Sequence, residues 1–532
     1  MPGDLRMASP PAGEFQESGG RAFRGEQPQP EGSGIGDGRG EEMTPRLGKG
    51  ELERELARMV GKENVFTEEV DLLPYSADHF LRGLQYYFPH FKFLPDAVVT
   101  PSETSQVSRI LRFASLHRIP IIPRGAGTSL AGQLIPVEGG IVLDLKKMNR
   151  IEPRVEDRMV VTGPGTTYAE LNRELERRGY FFPPEPGSAM ACTVGGMVAT
   201  NASGSGAVKY GATRNYVLSL EVVLASGEVV RLGRKVAKSS SGYSLKDLFV
   251  GSEGTLGVIT EITLKVEPYP PVRKTTLALF PTLDDAFEAA MEILRKGITP
   301  ASIELLDELC LLALNLSGFS LPEGKGALML RSDGRYREAV EKEMEEMEGI
   351  CKGKGAELLE VEEAVGRRLW EAREKISASL TKLLPPPETP RLVFQASVDV
   401  GLPLSRMLEY VRKVKALMEE KGIMGVCFGH VGDGNVHIGS TFVPESPEQV
   451  ERARRFQEEA IRLALSMGGT LTAEHGVGLW KAPYLEEEHG YALELMRSLK
   501  KLLDPQGILN PGKMALEGIP RIAFMESWWR EG

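Results

Sequence analysis

The stretch PEPGSAMACTVGGMVATNASGSGAVKYGATR occupies residues 184–214 and is dense in glycine, alanine and serine. Such small side chains leave room for a flat ring system against the backbone. A second glycine-rich loop, RGAGTS at 124–129, follows a predicted strand at 119–122, and its backbone N–H groups can point at an anion such as a pyrophosphate. Taken alone, this loop is typical of a tight turn, but two such loops in one region predict a dinucleotide site.

Short strands and helices alternate around these loops. A helix with apolar residues at i, i+3, i+4 and i+7 from Val107 lies between predicted strands at 97–100 and 119–122. A proline-rich joint, EPYPPV at 267–272, then indicates a boundary. The alternation predicts an α+β or α/β domain that ends near Pro270.

The same signals predict two folded domains. Residues 51–270 form the first, with its core at about 95–270, and residues 271–515 form the second, which mixes strands with longer helices. Residues 1–50 contain twelve glycines and six prolines, and we expect them to be a disordered leader. Residues 516–532 form a tail whose two tryptophans could pack on the second domain or dock to a membrane surface or a redox partner.

Composition and spacing argue against several classes of protein. The 532 residues are 41% hydrophobic and 26% charged, which is ordinary globular usage, and no run of 18 apolar residues predicts a membrane span. A formal net charge of −10 argues against a nucleic-acid partner. The loop at 124–129 has neither the Rossmann G-x-G-x-x-G pattern nor the G-x-x-x-x-G-K-[ST] pattern of triphosphate sites. The four cysteines form no Cys-x-x-Cys pair, which disfavours an iron–sulfur cluster and fits a reducing cytoplasm.

Three of the seven histidines lie in two glycine-rich motifs. His430 and His437 bracket GHVGDGNVH, whereas Glu474 and His475 lie in GTLTAEHGVG. Two imidazoles and one carboxylate suit a divalent metal such as Zn, Mn or Fe, and three protein ligands leave open positions for a substrate. A glycine-rich hairpin with structural histidines explains the same pattern without a metal.

Three segments resemble the FAD-binding domain of the vanillyl-alcohol-oxidase-type flavoproteins: RGAGTSLAG at 124–132, PPEPGSAMACTVGGMVATNASGSGAVKYG at 183–211 and LFVGSEGTLGVITEITLKV at 248–266. The resemblance implies an α+β fold, with a PCMH-type FAD-binding domain and a C-terminal substrate domain whose last segment returns to the flavin. It also implies that FAD binds without a covalent link, because some members use a histidine where this chain has Thr128. The residues expected to bind FAD are Arg124, Gly125, Ala126, Gly127, Thr128, Ser129, Gly187, Ser188, Gly195, Gly196, Thr200, Asn201, Ser203, Gly204, Ile259 and Asn510.

Motifs in the second domain resemble those of one particular family of these flavoproteins. GHVGDGNVH, EHGVG and the closing LKKLLDPQGILNPGK are similar to the FAD-linked D-2-hydroxy-acid dehydrogenases, which include cytochrome- or quinone-linked D-lactate dehydrogenases and the flavin subunit of glycolate oxidase. The family's pattern implies that His430, His437 and Glu474 hold a metal and that His475 is the catalytic base. An arginine in a helix of this domain grips the substrate carboxylate in the family, and WEAREKIS places Arg373 there. A surface arginine paired with a glutamate of its own helix is the alternative.

The implied reaction oxidises a D-2-hydroxy acid to the 2-oxo acid, with hydride passing from C2 to the flavin N5. Relatives that act on longer diacids carry a lysine where FQASVDVGLP offers Ser397, which favours D-lactate or glycolate. The electrons must then pass to a separate acceptor: an electron-transfer flavoprotein, a cytochrome, a quinone or an iron–sulfur partner subunit. We expect a cytoplasmic protein, and both a peripheral contact at the inner face of the membrane and a homodimer are compatible with the sequence.

Three other interpretations remain open at this stage. A relative of alkylglycerone-phosphate synthase would keep the fold and change the reaction, although such enzymes tend to carry a histidine cluster where this chain has TAEHG. A flavin electron carrier, or a partner subunit of a larger oxidase, would bind FAD but would not itself oxidise a substrate. A zinc hydrolase would use His430, His437 and Glu474 without a flavin.

Overall fold

The computed structural model describes residues 47–79, 93–322, 324–361, 363–384, 394–442 and 447–518. The predicted leader and the predicted tail lie mostly outside these residues. The helices are α1 (Lys49–Val60), α2 (Glu69–Leu72), α3 (Thr104–His117), α4 (Tyr168–Glu176), α5 (Val194–Thr200), α6 (Ala207–Tyr210), α7 (Lys246–Phe249), α8 (Leu283–Arg295), α9 (Glu308–Leu316), α10 (Arg337–Gly353), α11 (Glu363–Glu374), α12 (Ile376–Ser379), α13 (Met407–Lys421), α14 (Pro447–Ser466), α15 (Leu485–His489) and α16 (Tyr491–Leu503).

The strands, also in chain order, are β1 (Val65–Phe66), β2 (Ala97–Val99), β3 (Ile121–Arg124), β4 (Ile141–Asp144), β5 (Ile151–Arg154), β6 (Met159–Thr162), β7 (Tyr180–Phe181), β8 (Val217–Val223), β9 (Val229–Gly233), β10 (Val258–Lys265), β11 (Glu267–Pro268), β12 (Val272–Phe280), β13 (Ser302–Asp307), β14 (Gly326–Gly334), β15 (Glu357–Glu360), β16 (Phe394–Gly401), β17 (Gly425–His430) and β18 (Asn435–Phe442).

Four sheets organise the strands in the described part of the chain. The first has the order β1–β2–β4–β3, in which β4 runs parallel to both of its neighbours. The second is antiparallel, in the order β5–β6–β10–β8–β9, and β7 pairs separately with β11. The fourth is a seven-stranded antiparallel sheet in the order β15–β12–β14–β13–β17–β18–β16. None of the helices described here combines the length and the apolar character that a membrane crossing requires.

Local sequence signals account for the helices of the first region. The apolar stripe that begins at Val107 is buried along the whole of α3, which ends where Arg118 adopts a left-handed conformation. Helix α4 starts with a capping box, in which the Thr167 hydroxyl accepts the N–H of Glu170 and the Glu170 carboxylate accepts the N–H of Thr167. The apolar face of α3 packs in one buried cluster with β4, whereas that of α4 packs with strands of the second sheet.

The register of the seven-stranded sheet places ionisable side chains side by side. Glu304 on β13 pairs with His430 on β17, and Asp399 on β16 pairs with His437 on β18. Because side chains directly opposite each other on antiparallel strands lie within contact distance, four neighbouring strands assemble one charged row. Gly434 closes the β17–β18 turn at φ 91°, where an added Cβ would lie 2.4 Å from a backbone oxygen.

The C-terminal segment returns to the first sheet. The N–H of Ile121 donates to the oxygen of Ile508 at 2.7 Å, and the N–H of Asn510 donates to the oxygen of Ile121 at 2.8 Å. Leu509 thereby forms a parallel bridge beside β3. Residues far apart in the chain are therefore held next to the loop that follows β3.

Candidate active site

A cavity of about 590 Å³ joins the glycine-rich loops to the histidine motifs. Its wall also includes Arg373, His437, Glu474 and His475. Such a volume is in the range of small-molecule sites. The residues of the predicted FAD set that line it are Arg124, Gly125, Ala126, Gly127, Thr128, Ser129, Gly187, Ser188, Gly195, Gly196, Thr200, Ser203 and Ile259.

Asn201 and Gly204 lie beside the cavity wall and support it. Asn201 ends α5 in the left-handed region at φ 52°, and its side-chain oxygen accepts the N–H of Arg214 at 2.9 Å. Gly204 packs against the main chain so closely that an added Cβ would lie 1.8 Å from the oxygen of Glu185. Both residues therefore shape the loops that face the cavity.

Asn510 does not line the cavity but contacts residues that do. It is fully buried, and its amide nitrogen donates to the oxygens of Gln133 at 3.0 Å and Glu253 at 2.7 Å. Gln133 and Glu253 both line the cavity. The C-terminal segment therefore ties together two loops of the first region.

Arg124 directs its guanidinium away from the anion that the sequence pattern suggests. Its two terminal nitrogens donate to the oxygens of Ala77 at 3.1 Å and Pro74 at 3.2 Å, and the group lies over the ring of Tyr75. Gly127, at φ 78°, passes so close that an added Cβ would lie 2.3 Å from this guanidinium. Contacts of the 124–129 loop with a phosphate would therefore come from its backbone N–H groups and from the hydroxyls of Thr128 and Ser129, which line the cavity.

The close packing of Gly204 leads to a test of the loop's role. We expect Gly204→Ala to cost about 1–3 kcal/mol, as overpacking does, and to lower the FAD content, because the clash is with backbone that cannot rotate away. FAD absorbance per chain after gel filtration and the Tm measure the two effects. Gly349→Ala on α10 is the control, since its added Cβ meets nothing within 4 Å. Full FAD content and an unchanged Tm in Gly204→Ala would contradict the assignment.

The histidine motifs meet in a buried cluster. Glu474 Oε1 lies 3.3 Å from His437 Nε2 and 3.4 Å from His475 Nε2, while Glu474 Oε2 lies 3.6 Å from His430 Nε2. The rings of His437 and His475 stack with centroids 5.3 Å apart. The glycine-rich hairpin predicted for GHVGDGNVH is therefore present, and its two histidines, His430 and His437, both lie beside the Glu474 carboxylate.

One atom each of His430, His437 and Glu474 lie within 4.8 Å of one another, as metal ligands must. Asp399, His437 and His475 meet the same distance. The first set is the better donor set, because Glu474 Oε2 is buried and has no hydrogen-bond partner in the described part of the chain. By contrast, the Asp399 carboxylate already accepts several hydrogen bonds.

Sequence reasoning missed Glu304, which holds both His430 and Arg373. It is fully buried, its Oε1 lies 2.5 Å from His430 Nδ1, and its Oε2 accepts from Arg373 Nε at 2.7 Å. Burial would raise the pKa of Glu304, but the charges of Arg373 and His430 outweigh it and lower the pKa to about 2. The available signal was a carboxylate flanked by the apolar residues Ile303 and Leu305 inside β13.

Asp399 is the second residue that sequence reasoning missed. Its Oδ2 accepts the backbone N–H groups of Ala473, Glu474 and His475 at 3.2, 3.1 and 2.9 Å, and it lies 3.6 Å from His475 Nδ1. Burial would raise the pKa of Asp399, but the nearby charges of His475, Lys481 and His437 hold it well below its usual range. Because side chains alternate along a strand, Asp399 lies on the same face of β16 as Ser397, which lines the cavity. This spacing of two residues was the signal in the sequence that could have identified Asp399.

Arg373 is buried near the end of α11 and does not pair with a glutamate of its own helix. Its Nε donates to Glu304, and its Nη2 lies 3.3 Å from the ring nitrogens of His430. These contacts do not occupy Nη1, and the residue lines the cavity together with Ser377 and Ser397. The guanidinium is therefore held rigidly at the cavity wall.

Two family models match this chain: the FAD binding domain at residues 95–233, and the C-terminal domain of FAD linked oxidases at 269–514. The glycolate oxidase subunit GlcD of Bacillus subtilis (strain 168) is 39% identical over 472 residues, which cover 87% of this chain and 96% of that protein. The mitochondrial D-lactate dehydrogenase [cytochrome] of Arabidopsis thaliana is 36% identical over 479 residues, which cover 89% of this chain and 83% of that protein.

Solved structures resemble this chain across most of its length. p-Cresol methylhydroxylase with substrate bound has a TM-score of 0.71 at 20% identity, covering 87% of this chain and 96% of that one. Alkyldihydroxyacetonephosphate synthase has a TM-score of 0.70 at 21% identity, covering 88% of this chain and 85% of that one. At such identities the likeness concerns the fold alone, and it confirms the predicted α+β class with a PCMH-type FAD-binding domain.

Fold and family models together define an FAD-linked oxidoreductase. More narrowly, the chain belongs to the FAD-linked oxidase family, together with a glycolate oxidase subunit and D-lactate dehydrogenases. The resemblance predicted from the sequence motifs is therefore confirmed.

Proposed function

We propose that this protein oxidises a D-2-hydroxy acid, with D-lactate or glycolate favoured, to the corresponding 2-oxo acid. The observation that carries the proposal is that one cavity wall contains the glycine-rich loops together with Arg373, His437, Glu474 and His475. The names of the relatives support it, since they are a glycolate oxidase subunit and D-lactate dehydrogenases. The likeness to alkyldihydroxyacetonephosphate synthase lies at 21% identity and does not favour that reaction.

The loops fit a tightly held flavin. An added Cβ would lie 2.1 Å from Thr193 Oγ1 at Gly125 and 2.6 Å from Pro164 at Gly195, so the main chain itself forms the wall there. When bound, FAD supplies the hydride acceptor. Thr128 stands where covalently linked members carry histidine, and we propose that FAD is held without a covalent bond.

The buried cluster fits a divalent metal, and we propose His430, His437 and Glu474 as its ligands. The support is the convergence of their donor atoms and the buried Oε2 of Glu474, which has no hydrogen-bond partner in the described part of the chain. The Glu304 carboxylate at His430 Nδ1 would orient that ring, as carboxylates do for metal-bound histidines. A bound Zn, Mn or Fe ion supplies Lewis acidity that lowers the pKa of a hydroxyl.

His475 is the proposed base, which takes the proton from the substrate hydroxyl. It lines the cavity, and its side chain is 20% exposed there. Asp399 Oδ2 lies 3.6 Å from Nδ1 of the His475 ring and also accepts the main-chain N–H of His475. The ring therefore has a fixed orientation. Arg373 then grips the substrate carboxylate, which orients C2 for hydride loss.

Arg373→Lys tests the carboxylate grip. The lysine keeps the charge beside Glu304 but loses the planar fork, so we expect the KM for D-lactate to rise at least about tenfold, the worth of one charged hydrogen bond. Steady-state kinetics measure the change. Arg368→Lys, on the exposed face of the same helix, is the matched control and should keep the wild-type KM. An unaltered KM in Arg373→Lys would remove this residue from substrate binding.

The function itself is tested by anaerobic flavin reduction across a panel of D- and L-2-hydroxy acids. We expect D-lactate or glycolate to bleach the flavin, and L-lactate to leave it oxidised. A flavin that no hydroxy acid reduces would instead support an electron carrier or partner subunit, and a colourless metal-dependent protein would support a hydrolase.

The electrons must leave the reduced flavin for a separate acceptor. We propose an electron-transfer flavoprotein, a cytochrome, a quinone or an iron–sulfur partner subunit, and the Arabidopsis relative's name supports the cytochrome. We also propose a cytoplasmic location.

A further inference from the structure

The carboxylate of Glu253 attaches the loop that carries His475 to the first region of the chain. Glu253 Oε1 accepts the N–H of Val477 at 2.7 Å, and its Oε2 accepts the N–H of Gly478 at 2.8 Å. Glu253 is 6% exposed, and its own N–H donates to the oxygen of Ala199 at 2.8 Å. Ala199 lies in α5, the helix whose glycines line the cavity, so Glu253 links that helix directly to the histidine loop, residues 472–478.

Two further side chains complete this attachment. Gln133 Nε2 donates to the oxygen of His475 itself at 2.7 Å. Asn510 donates to the main-chain oxygens of both Gln133 and Glu253 and so holds them together. We call Glu253, Gln133 and Asn510 the brace.

The backbone around the brace is unusually constrained. Glu253 and Asn510 have φ values of 52° and 44°, in the left-handed region that costs a non-glycine residue free energy. Gly476, at φ 78°, leaves no room for a side chain, because an added Cβ would lie 2.4 Å from Glu253 Oε1 and 2.6 Å from Gln133 Nε2. Strain of this kind persists where the surrounding structure demands one local geometry.

We propose that Glu253 is a positioning residue for the reaction. Together with Gln133 it fixes the main chain that follows His475 against α5, and so sets the position of the base relative to the flavin-lining wall. Asp399 holds the same loop from the seven-stranded sheet, so the loop is clamped from both sides. The inference rests on the role proposed above for His475.

Glu253→Gln tests the proposal, because an amide can accept only one of the two N–H groups and presents its own donor to the other. We expect FAD content to stay at the wild-type level and the rate of anaerobic flavin reduction at saturating D-lactate to fall at least about tenfold, since small misplacements of a base are costly. The half-saturating concentration should change less than about threefold, because Glu253 does not touch the carboxylate grip. Glu221→Gln on β8 is the matched control, since its partners are Thr104, Arg231 and Thr260, and it should keep the wild-type rate.

Gln133→Leu provides a second route to the same loop. It should slow flavin reduction as well, and the double variant should lose less than the product of the two single effects, because both residues hold one loop. A folded, flavin-loaded Glu253→Gln with a rate within about twofold of wild type would overturn the proposal. Loss of FAD from Glu253→Gln combined with a wild-type rate in Gln133→Leu would overturn it too, since Glu253 would then serve the cofactor alone.

Hydrogen exchange separates this proposal from the proposed function. In Glu253→Gln the amides of Val477 and Gly478 should exchange faster than in the wild type, whatever the substrate proves to be. If no hydroxy acid reduces the wild-type flavin, the proposed function fails, and unchanged exchange would still overturn the brace on its own.

Discussion

Replacing His475 by alanine is expected to abolish turnover while FAD stays bound. The loss should be about 10²–10⁴-fold, the usual contribution of a general base. The side chain lines the cavity, and its ring nitrogens lie 3.6 Å from Asp399 Oδ2 and 3.4 Å from Glu474 Oε1, so we expect the FAD-binding loops to be unaffected. Rapid-mixing measurement of flavin reduction by D-lactate, beside the flavin absorbance spectrum, gives both quantities.

His117→Ala is the matched control for this experiment. His117 ends α3 and contacts Phe113, outside the cavity, so its removal should leave flavin reduction at the wild-type rate. Flavin reduction near the wild-type rate in His475→Ala would remove this residue from the proton transfer and point to another base.

Removal of a divalent metal is the second large expected effect. Dialysis against EDTA should lower turnover at least about a hundredfold, since Lewis-acid stabilisation is worth several kcal/mol. The flavin spectrum should persist, because the proposed ligands lie on β17, β18 and the histidine loop, which are separate segments from the glycine-rich loops at 124–129 and 184–214. Zn, Mn or Fe added back should restore turnover, and elemental analysis should identify the native ion.

The ligand set can be tested without measuring activity. Glu474→Gln should lower the metal content of the purified protein, whereas Glu371→Gln, on the exposed face of α11, should keep it. Full activity in a demonstrably metal-free sample would remove the metal from the proposed reaction.

Much of the site could be predicted because its parts are short, local motifs. The loop at 124–129 and the stretch at 184–214 each carry their glycines within one short segment, and the close packing of Gly125 and Gly195 shows why these residues are small. The stripe of α3 likewise repeats at helical spacing and is buried as expected. In each case a few adjacent residues contain the whole signal.

Glu304 and Asp399 could not be placed in the same way. Their importance comes from strand pairing: β13 adjoins β17 and β16 adjoins β18, although these strands are separated by long stretches of chain. A buried carboxylate in a strand is visible in the sequence, but its partner is not, because non-local pairing depends on the whole sheet. Arg373 illustrates the point, since its partner proved to be Glu304 on β13 and not a glutamate on its own helix.

The return of the C-terminal segment has a consequence for biosynthesis. Asn510 bonds to main-chain oxygens beside the cavity, and its own N–H bonds to Ile121, so the walls built from the first half of the chain lack these ties until residues 508–510 have been translated. A nascent polypeptide still attached to the ribosome would hold FAD in an unfinished pocket. We therefore expect stable flavin retention only in chains whose synthesis has passed this segment.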